Sequence, residues 1–333
     1  MKKIIKLLIL TVLMTIFVGC GNESSENTQE KIPADENVAA AKSGASNSST
    51  PVNGDLTIKM LNVGQGDAIL IQTKTQNILI DTSDTDEREK LRAELDKAGV
   101  KKIDKLILTH AHADHIGGAK LVIDSYNVKE VYKDGSERPK FSVYKSYVSA
   151  ANKKNVPVKI LQAGDKLNFG GKVSFEVFSP SEEIRQKFEA ENDYNDTSIV
   201  GKLTYGDFSM LFTGDAEKAA ENEILNTKYK KKLQSTVLKA GHHGSKTSSG
   251  ADFMKAVSPE YVLISAGEPD VDGGNTYGHP HKEALNSYIK AGVDKTHILW
   301  TYKNGTITVT TDGKEYSVVT EKNTKWIDKQ LKK

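Results

Sequence analysis

One cysteine, Cys20, serves 333 residues, which excludes an intramolecular disulfide and any Cys-x-x-Cys metal or redox site. Net charge is nearly absent as well. The chain carries 46 Lys and Arg against 44 Asp and Glu; without Lys2, Lys3 and Lys6 the balance is 43 against 44. Bulk charge therefore does not steer the body of the protein to nucleic acid, and only a local patch can do so. Long apolar runs are missing too, apart from "LLILTVLMTIFV" near the N-terminus, which is short for a bilayer span. There is no complete Walker loop, no dinucleotide fingerprint, no Gly-x-Ser-x-Gly elbow and no solenoid repeat. What remains is an ordinary globular balance, 37% hydrophobic and 27% charged, in a chain long enough for one large domain or two ordinary ones.

The N-terminus reads as targeting. "MKKIIK" is a basic start, the apolar run follows, and "GCGN" places Cys20 between small residues. This resembles a bacterial lipobox, with Phe17 where leucine is usual. The resemblance implies a signal peptide over 1–19, cleavage before Cys20 and a lipid on its thiol. An uncleaved anchor or an ordinary secretory signal are the other readings. A two-chain lipid suffices for stable anchoring, on the extracytoplasmic face of a bacterial membrane. Residues 20–53 are rich in Ser, Asn, Ala and Glu and hold no aromatic, so they read as a tether.

From residue 54 to about 320, strand and helix patterns alternate, and 321–333 reads as a tail. "LTIKM", "DAILIQT" and "NILI" are short strands; "DEREKLRAELDKAG" is a helix closed by Gly99; "IDKLILTH" is a buried strand. "DTSIVGKLTYGDFSMLFTGD" is a hairpin turning at Gly206-Asp207, and "GTITVTTDGKEYSVV" a closing hairpin. The pattern of strands, helix, strand, helix runs twice. This predicts an α/β fold with two sheets and helices outside.

The chain has 8 histidines, and three of them fall in "LILTHAHADHIGG". His110 and His112 are two apart at a strand end, so both imidazoles can share a face and one ion. Asp114 and His115 follow where the chain turns into a helix, within reach of a second ion. Imidazole and carboxylate suit zinc, and also manganese or iron. The plain alternative is a solvated histidine-rich loop.

"THAHADHIGG" resembles the HxHxDH signature of the metallo-β-lactamase superfamily. Together with "LNVGQGDAILI", "NDTSIVGKL", "LFTGD", "LKAGHHGSKTSS" and "TYGHP", it is similar to the metallo-β-lactamase-like domain of competence DNA-uptake channel proteins (ComEC type), here without the channel's membrane spans. The resemblance covers nearly all of residues 55–319. It implies an αββα sandwich of two mixed sheets, and two divalent ions, zinc before manganese, at the edge between them. It assigns His110 and His112 to the first ion, Asp114 and His115 to the second, and Asp215 as a bridge. Asp215 otherwise reads as a helix N-cap. His242 is the expected histidine of the second site, with His243 touching substrate; the reverse assignment stays open. The family's third histidine of the first site is missing, since no histidine lies between His115 and His242. Asp196 is the expected oxygen donor there, with Asn195 beside it, although both residues also turn chains well.

Asp81 is expected to orient a metal ligand through a hydrogen bond, or merely to turn the chain. His279, before Pro280, either contacts a phosphate or caps a helix. Ser245 and Lys246 are candidate substrate contacts, and Lys239, Lys246 and Lys282 are candidate holders of flanking phosphates. Two adjacent metals suit hydrolysis by an activated water, with Asp114, His243 and His279 as the catalytic candidates. The expected function is a surface-anchored phosphodiesterase or nuclease acting on extracellular DNA. Alternatives are a teichoic-acid phosphocholine esterase, a lactonase, a β-lactamase, or a binding lipoprotein without catalysis. No protein partner is implied.

Overall fold

The computed structural model describes residues 46–47, 52–269 and 275–332. The expected signal peptide, Cys20 and most of the tether lie outside the described residues. Among the described residues no helix is long and apolar enough to cross a membrane.

Two mixed sheets face each other. The first runs, edge to edge, Ser46–Asn47, Glu315–Thr320, Ile307–Thr311, Leu56–Met60, Ile69–Thr73, Asn77–Ile80, Lys105–Leu108, Val131–Lys133, Val158–Ile160. The second runs Lys166–Asn168, Ser174–Ser179, Val200–Tyr205, Phe208–Phe212, Val237–Lys239, Tyr261–Ile264, Ile298–Trp300. Alternation decides which side chains meet between them. Leu56, Ile58 and Met60 from the first sheet enter one cluster with Phe175, Leu203, Met210 and Phe212 from the second. The remaining faces are covered by helices. Leu91 and Leu95 of Arg88–Lys97 and Tyr147 of Ser142–Lys153 pack on the first sheet. Phe253 of Ala251–Val257 and Leu285 and Tyr288 of Lys282–Lys290 pack on the second. The order is helix, sheet, sheet, helix.

The Gly206-Asp207 hairpin forms between Val200–Tyr205 and Phe208–Phe212. Three features go beyond the sequence reading. A helix spans Glu182–Glu191, capped by Ser181 Oγ accepting from Ile184 N. The last residues are not a loose tail: Trp326 and Ile327 are buried in the core under the second sheet, at the start of a helix over Ile327–Lys332. Within the span assigned to the tether, Ser46–Asn47 pairs in parallel with Glu315–Tyr316.

The inner strands end at one edge of the sandwich. Lys105–Leu108 delivers Thr109 to His115; Phe208–Phe212 delivers Asp215; Val237–Lys239 delivers His242 and His243. Ligand-type side chains gather where strand ends of both sheets meet, which is where such folds leave room for chemistry.

Candidate metal centre

Asp114, His115, Asp215 and His243 bring one ligand atom each to within 4.8 Å of one another. His115 Nε2 lies 3.1 Å from Asp215 Oδ2, and His243 Nε2 lies 3.3 Å from the same oxygen and 3.2 Å from Asp114 Oδ2. The tautomers are set from behind. Asp81 Oδ2 sits 2.8 Å from His115 Nδ1, and Ser265 O sits 2.8 Å from His243 Nδ1. Each Nδ1 therefore carries a proton, and each Nε2 faces carboxylate oxygen.

Imidazole nitrogens and carboxylate oxygens crowded in a buried pocket demand positive charge, supplied by protons on the rings or by a cation in their place. Burial lowers the basicity of both His115 and His243, but Asp215 and its neighbouring carboxylates outweigh it and hold both imidazoles well above their usual range. Burial raises Asp215, but His115, His243 and His242 outweigh it and hold the carboxylate well below its usual range. Asp215 Oδ1 and His115 Nε2 have no hydrogen-bond partner among the described residues. The nitrogen and oxygen donor set suits a divalent ion, which would be held by Asp114, His115, Asp215 and His243.

His110 and His112 stand beside this cluster. His110 Nε2 and His112 Nδ1 are 3.0 Å apart, and the His110 ring lies 4.1 Å from that of His115. Burial and the neighbouring His115 and His112 push His110 well below its usual range, so its ring is neutral. His110 and His112 thus pair with each other beside the four-residue cluster.

Position by position, the structure departs from several assignments. His243, rather than His242, joins the four-residue cluster. The reason is local: both residues sit at positive φ, 43° and 53°, in a tight turn that aims consecutive side chains apart. Such strain persists only where the surroundings impose it. His242 instead reaches Glu217, Nδ1 to Oε1 2.7 Å. Asp196 does not join His110 and His112. Its Oδ1 accepts from Glu217 N (2.7 Å) and Ala220 N (3.2 Å), capping the helix Lys218–Leu225 across a sequence gap. Asp215 is thus not that helix's cap. Ser198 Oγ and Thr109 Oγ1 stand 3.3 and 3.4 Å from His110 Nδ1. Asn195 Nδ2 donates to Glu217 Oε1 at 3.2 Å.

Lys239 is not a phosphate holder. It is 0% exposed; its Nζ donates to Gly214 O at 2.7 Å and pairs with Asp67 at 2.5 Å. Lys246 and Lys282 are exposed, free of such constraint. Asp67, 1% exposed, also lies 3.5 Å from His243 Nδ1. Pairing across the two sheets is what places Lys239 under the site beside Asp67.

A cavity of about 660 Å³ opens over the cluster, lined by Asp114, Asp215, His112, His242, His243 and Ser245 among others. Asp84, Asp86 and Asn195 also line it, with Tyr277 and His279. Tyr277 is 68% exposed and stacks on His279, which in turn stacks toward His243. His279 is buried, and burial together with His243 and His242 pushes it down to about 2. Its ring is therefore neutral.

The chain matches the metallo-β-lactamase superfamily model over residues 61–268. It is 33% identical over 272 residues to ComE operon protein 3 of Bacillus subtilis, covering 75% of this chain and 32% of that protein. It is 32% identical over 238 residues to Competence protein ComA of Neisseria gonorrhoeae, covering 71% and 30%. The chain thus spans about a third of the length of these curated relatives. Among solved structures, the metallo-β-lactamase fold protein YhfI from Bacillus subtilis aligns at 11% identity with a TM-score of 0.46, covering 75% of this chain and 98% of that one.

Proposed function

This chain belongs to the metallo-β-lactamase superfamily, and from that premise we propose that it is a two-metal phosphodiesterase acting on DNA at the outer face of a membrane. The observation that carries the reading is the convergence of Asp114, His115, Asp215 and His243, with His110 and His112 alongside. The competence names of its relatives and the resemblance to a DNA-uptake domain support the polymer. The lipobox-like "GCGN" supports the location.

When bound, divalent ions held by Asp114, His115, Asp215 and His243 would supply an acidified water and charge neutralisation on the attacked and departing oxygens. The chain's own residues do the positioning. Asp81 and Ser265 fix the orientation of His115 and His243. Glu217 Oε1, 2.7 Å from His242 Nδ1, orients that ring at the cavity wall. Ser198 Oγ accepts from Asp215 N at 3.0 Å and steadies the carboxylate at the centre.

A second reading has its own observation. Asp84 and Asp86 on the cavity wall suit a phosphodiester with a cationic head, such as phosphocholine on a wall polymer. Zinc- or manganese-loaded protein is to be assayed on bis(p-nitrophenyl) phosphate, single- and double-stranded DNA, phosphocholine-bearing polymer and a β-lactam. The proposal expects DNA cleavage that is lost in Asp114→Ala and Asp215→Ala. DNA left intact while phosphocholine is released transfers the assignment to the second reading.

A further inference from the structure

The cavity has a charge problem. Its wall carries Asp84, Asp86, Asp114 and Asp215 and, among the described residues, no lysine or arginine. Metal ions answer Asp114 and Asp215, but Asp84 and Asp86 still repel a polyanion. A chain of phosphodiesters needs a cation just beyond the rim. Lys239 cannot serve, being buried and paired.

Arg138 is built for the task. Its Nη1 donates to Ala111 O at 2.9 Å, and Ala111 is the residue between His110 and His112. Its guanidinium carbon lies 4.2 Å from the centre of the Tyr194 ring and 4.7 Å from that of Phe141. Tyr194 in turn packs edge-on to His112, ring centres 6.2 Å apart. No carboxylate among the described residues pairs with Arg138, which is half-buried. Two aromatic contacts and one carbonyl fix the side chain, so little rotamer freedom remains to be lost when a ligand binds. Its other N–H groups form a fork suited to phosphate oxygens.

Resting on the phosphodiesterase reading, we propose that Arg138 is a substrate-positioning residue that binds a phosphate flanking the one at the metal cluster. The preferred substrate is then a polyphosphodiester chain and not a lone ester.

The test uses the zinc-loaded full chain and a fluorescent decathymidylate with a phosphorothioate backbone, which slows cleavage. Arg138→Gln is expected to weaken binding about tenfold. It is also expected to lower the slope of log affinity against log salt by about 0.7, the value for one lost phosphate contact on a single strand. Arg138→Lys, which keeps charge without the fork, is expected to fall between. On cleavable oligonucleotide the loss in Arg138→Gln is expected in KM more than in kcat. Equal binding by Arg138→Gln and wild type overturns the proposal whether or not DNA is cleaved. So does weaker binding with an unchanged salt slope, or a loss of zinc, either of which makes Arg138 a mere brace for Ala111. Wild type that fails to bind the probe overturns it too. Probe binding that depends on Arg138 without cleavage of any phosphodiester sustains the proposal while removing the phosphodiesterase reading.

Discussion

Lys239 and Asp67 form a fully buried ion pair, 2.5 Å from Nζ to Oδ2, directly behind Asp215, whose Oδ1 lies 3.6 Å from the same ammonium. Burial lowers the basicity of Lys239, but Asp67 and Asp215 outweigh it and keep the amine above its usual range. The lysine is therefore a fixed cation on the side of the cluster away from solvent. It offsets one buried carboxylate, on the Oδ1 side of Asp215, while Oδ2 faces His115 and His243.

Lys239→Met removes that cation and strands Asp67. Breaking a buried pair in this way costs about 3–5 kcal/mol, so Tm is expected to drop by roughly 10 °C. Adding Asp67→Asn to the same chain is expected to recover part of the loss, because the stranded charge is gone. Calorimetry on the single and double variants decides. A Tm within 2–3 °C (roughly 1 kcal/mol) of wild type for Lys239→Met contradicts the role of Lys239 as a cation that the buried carboxylates require.

The two adjacent histidines should separate in metal content. His243→Ala removes a member of the four-residue cluster and is expected to bind fewer metal ions per chain than wild type. His242→Ala is expected to keep its metal and to lose turnover, since His242 engages Glu217 and faces the cavity. Asp81→Ala should weaken metal binding about 10- to 100-fold by freeing the His115 ring. Elemental analysis and zinc titration read the metal content of all three, and hydrolysis of bis(p-nitrophenyl) phosphate reads the turnover of His242→Ala. If His242→Ala loses metal and His243→Ala does not, the assignment is reversed.

Cys20→Ser tests the proposed lipid anchor. The variant is expected in the soluble fraction, with the wild type in the membrane fraction. Retention of the variant on membranes favours an uncleaved apolar anchor.

The clustered parts of this site were legible because each sits at a strand end marked by an apolar run. "LILTHAHADH" and "LFTGD" announce both the strand and the polar residues that leave it. The two-sheet sandwich was legible for the same reason: its strands alternate or run apolar, and glycines punctuate them. Three things were not legible locally. The choice between His242 and His243 depends on two consecutive left-handed residues, which no propensity announces. The helix Lys218–Leu225 is capped by Asp196, far upstream of its first turn, so neither Asp196 nor Asp215 shows its role by position. Lys239 follows "STVL" and looks like the polar end of a strand; only its partners from the other sheet reveal a buried charge. Glu182–Glu191 did carry a local signal, Ser181 followed by two glutamates, and that signal identifies the helix in hindsight.

Asp196 itself offers the last prediction. Burial, against the hydrogen bonds from Glu217 N and Ala220 N, pushes its carboxyl up to about 7; an unfolded aspartate titrates near ~3.9. Between these values the folded chain binds a proton that the unfolded chain has lost. Stability from this group is therefore fully present below about pH 4 and is lost as pH rises through about 7. Asp196→Asn keeps the Oδ1 that caps the helix and removes the titration. The metal-free variant is expected to match wild type near pH 4 and to be more stable at pH 8. Subtracting the two curves cancels opposing contributions from depressed histidines such as His110. Asp196→Ala, which lacks the cap, is expected to lose about 1 kcal/mol at acidic pH. Urea unfolding in chelator from pH 4 to 8 measures these differences, and zinc content of the reloaded Asp196→Asn protein should equal wild type. A drop in zinc content, or parallel stability curves, would return Asp196 to the role of a metal ligand or leave it a simple turn residue.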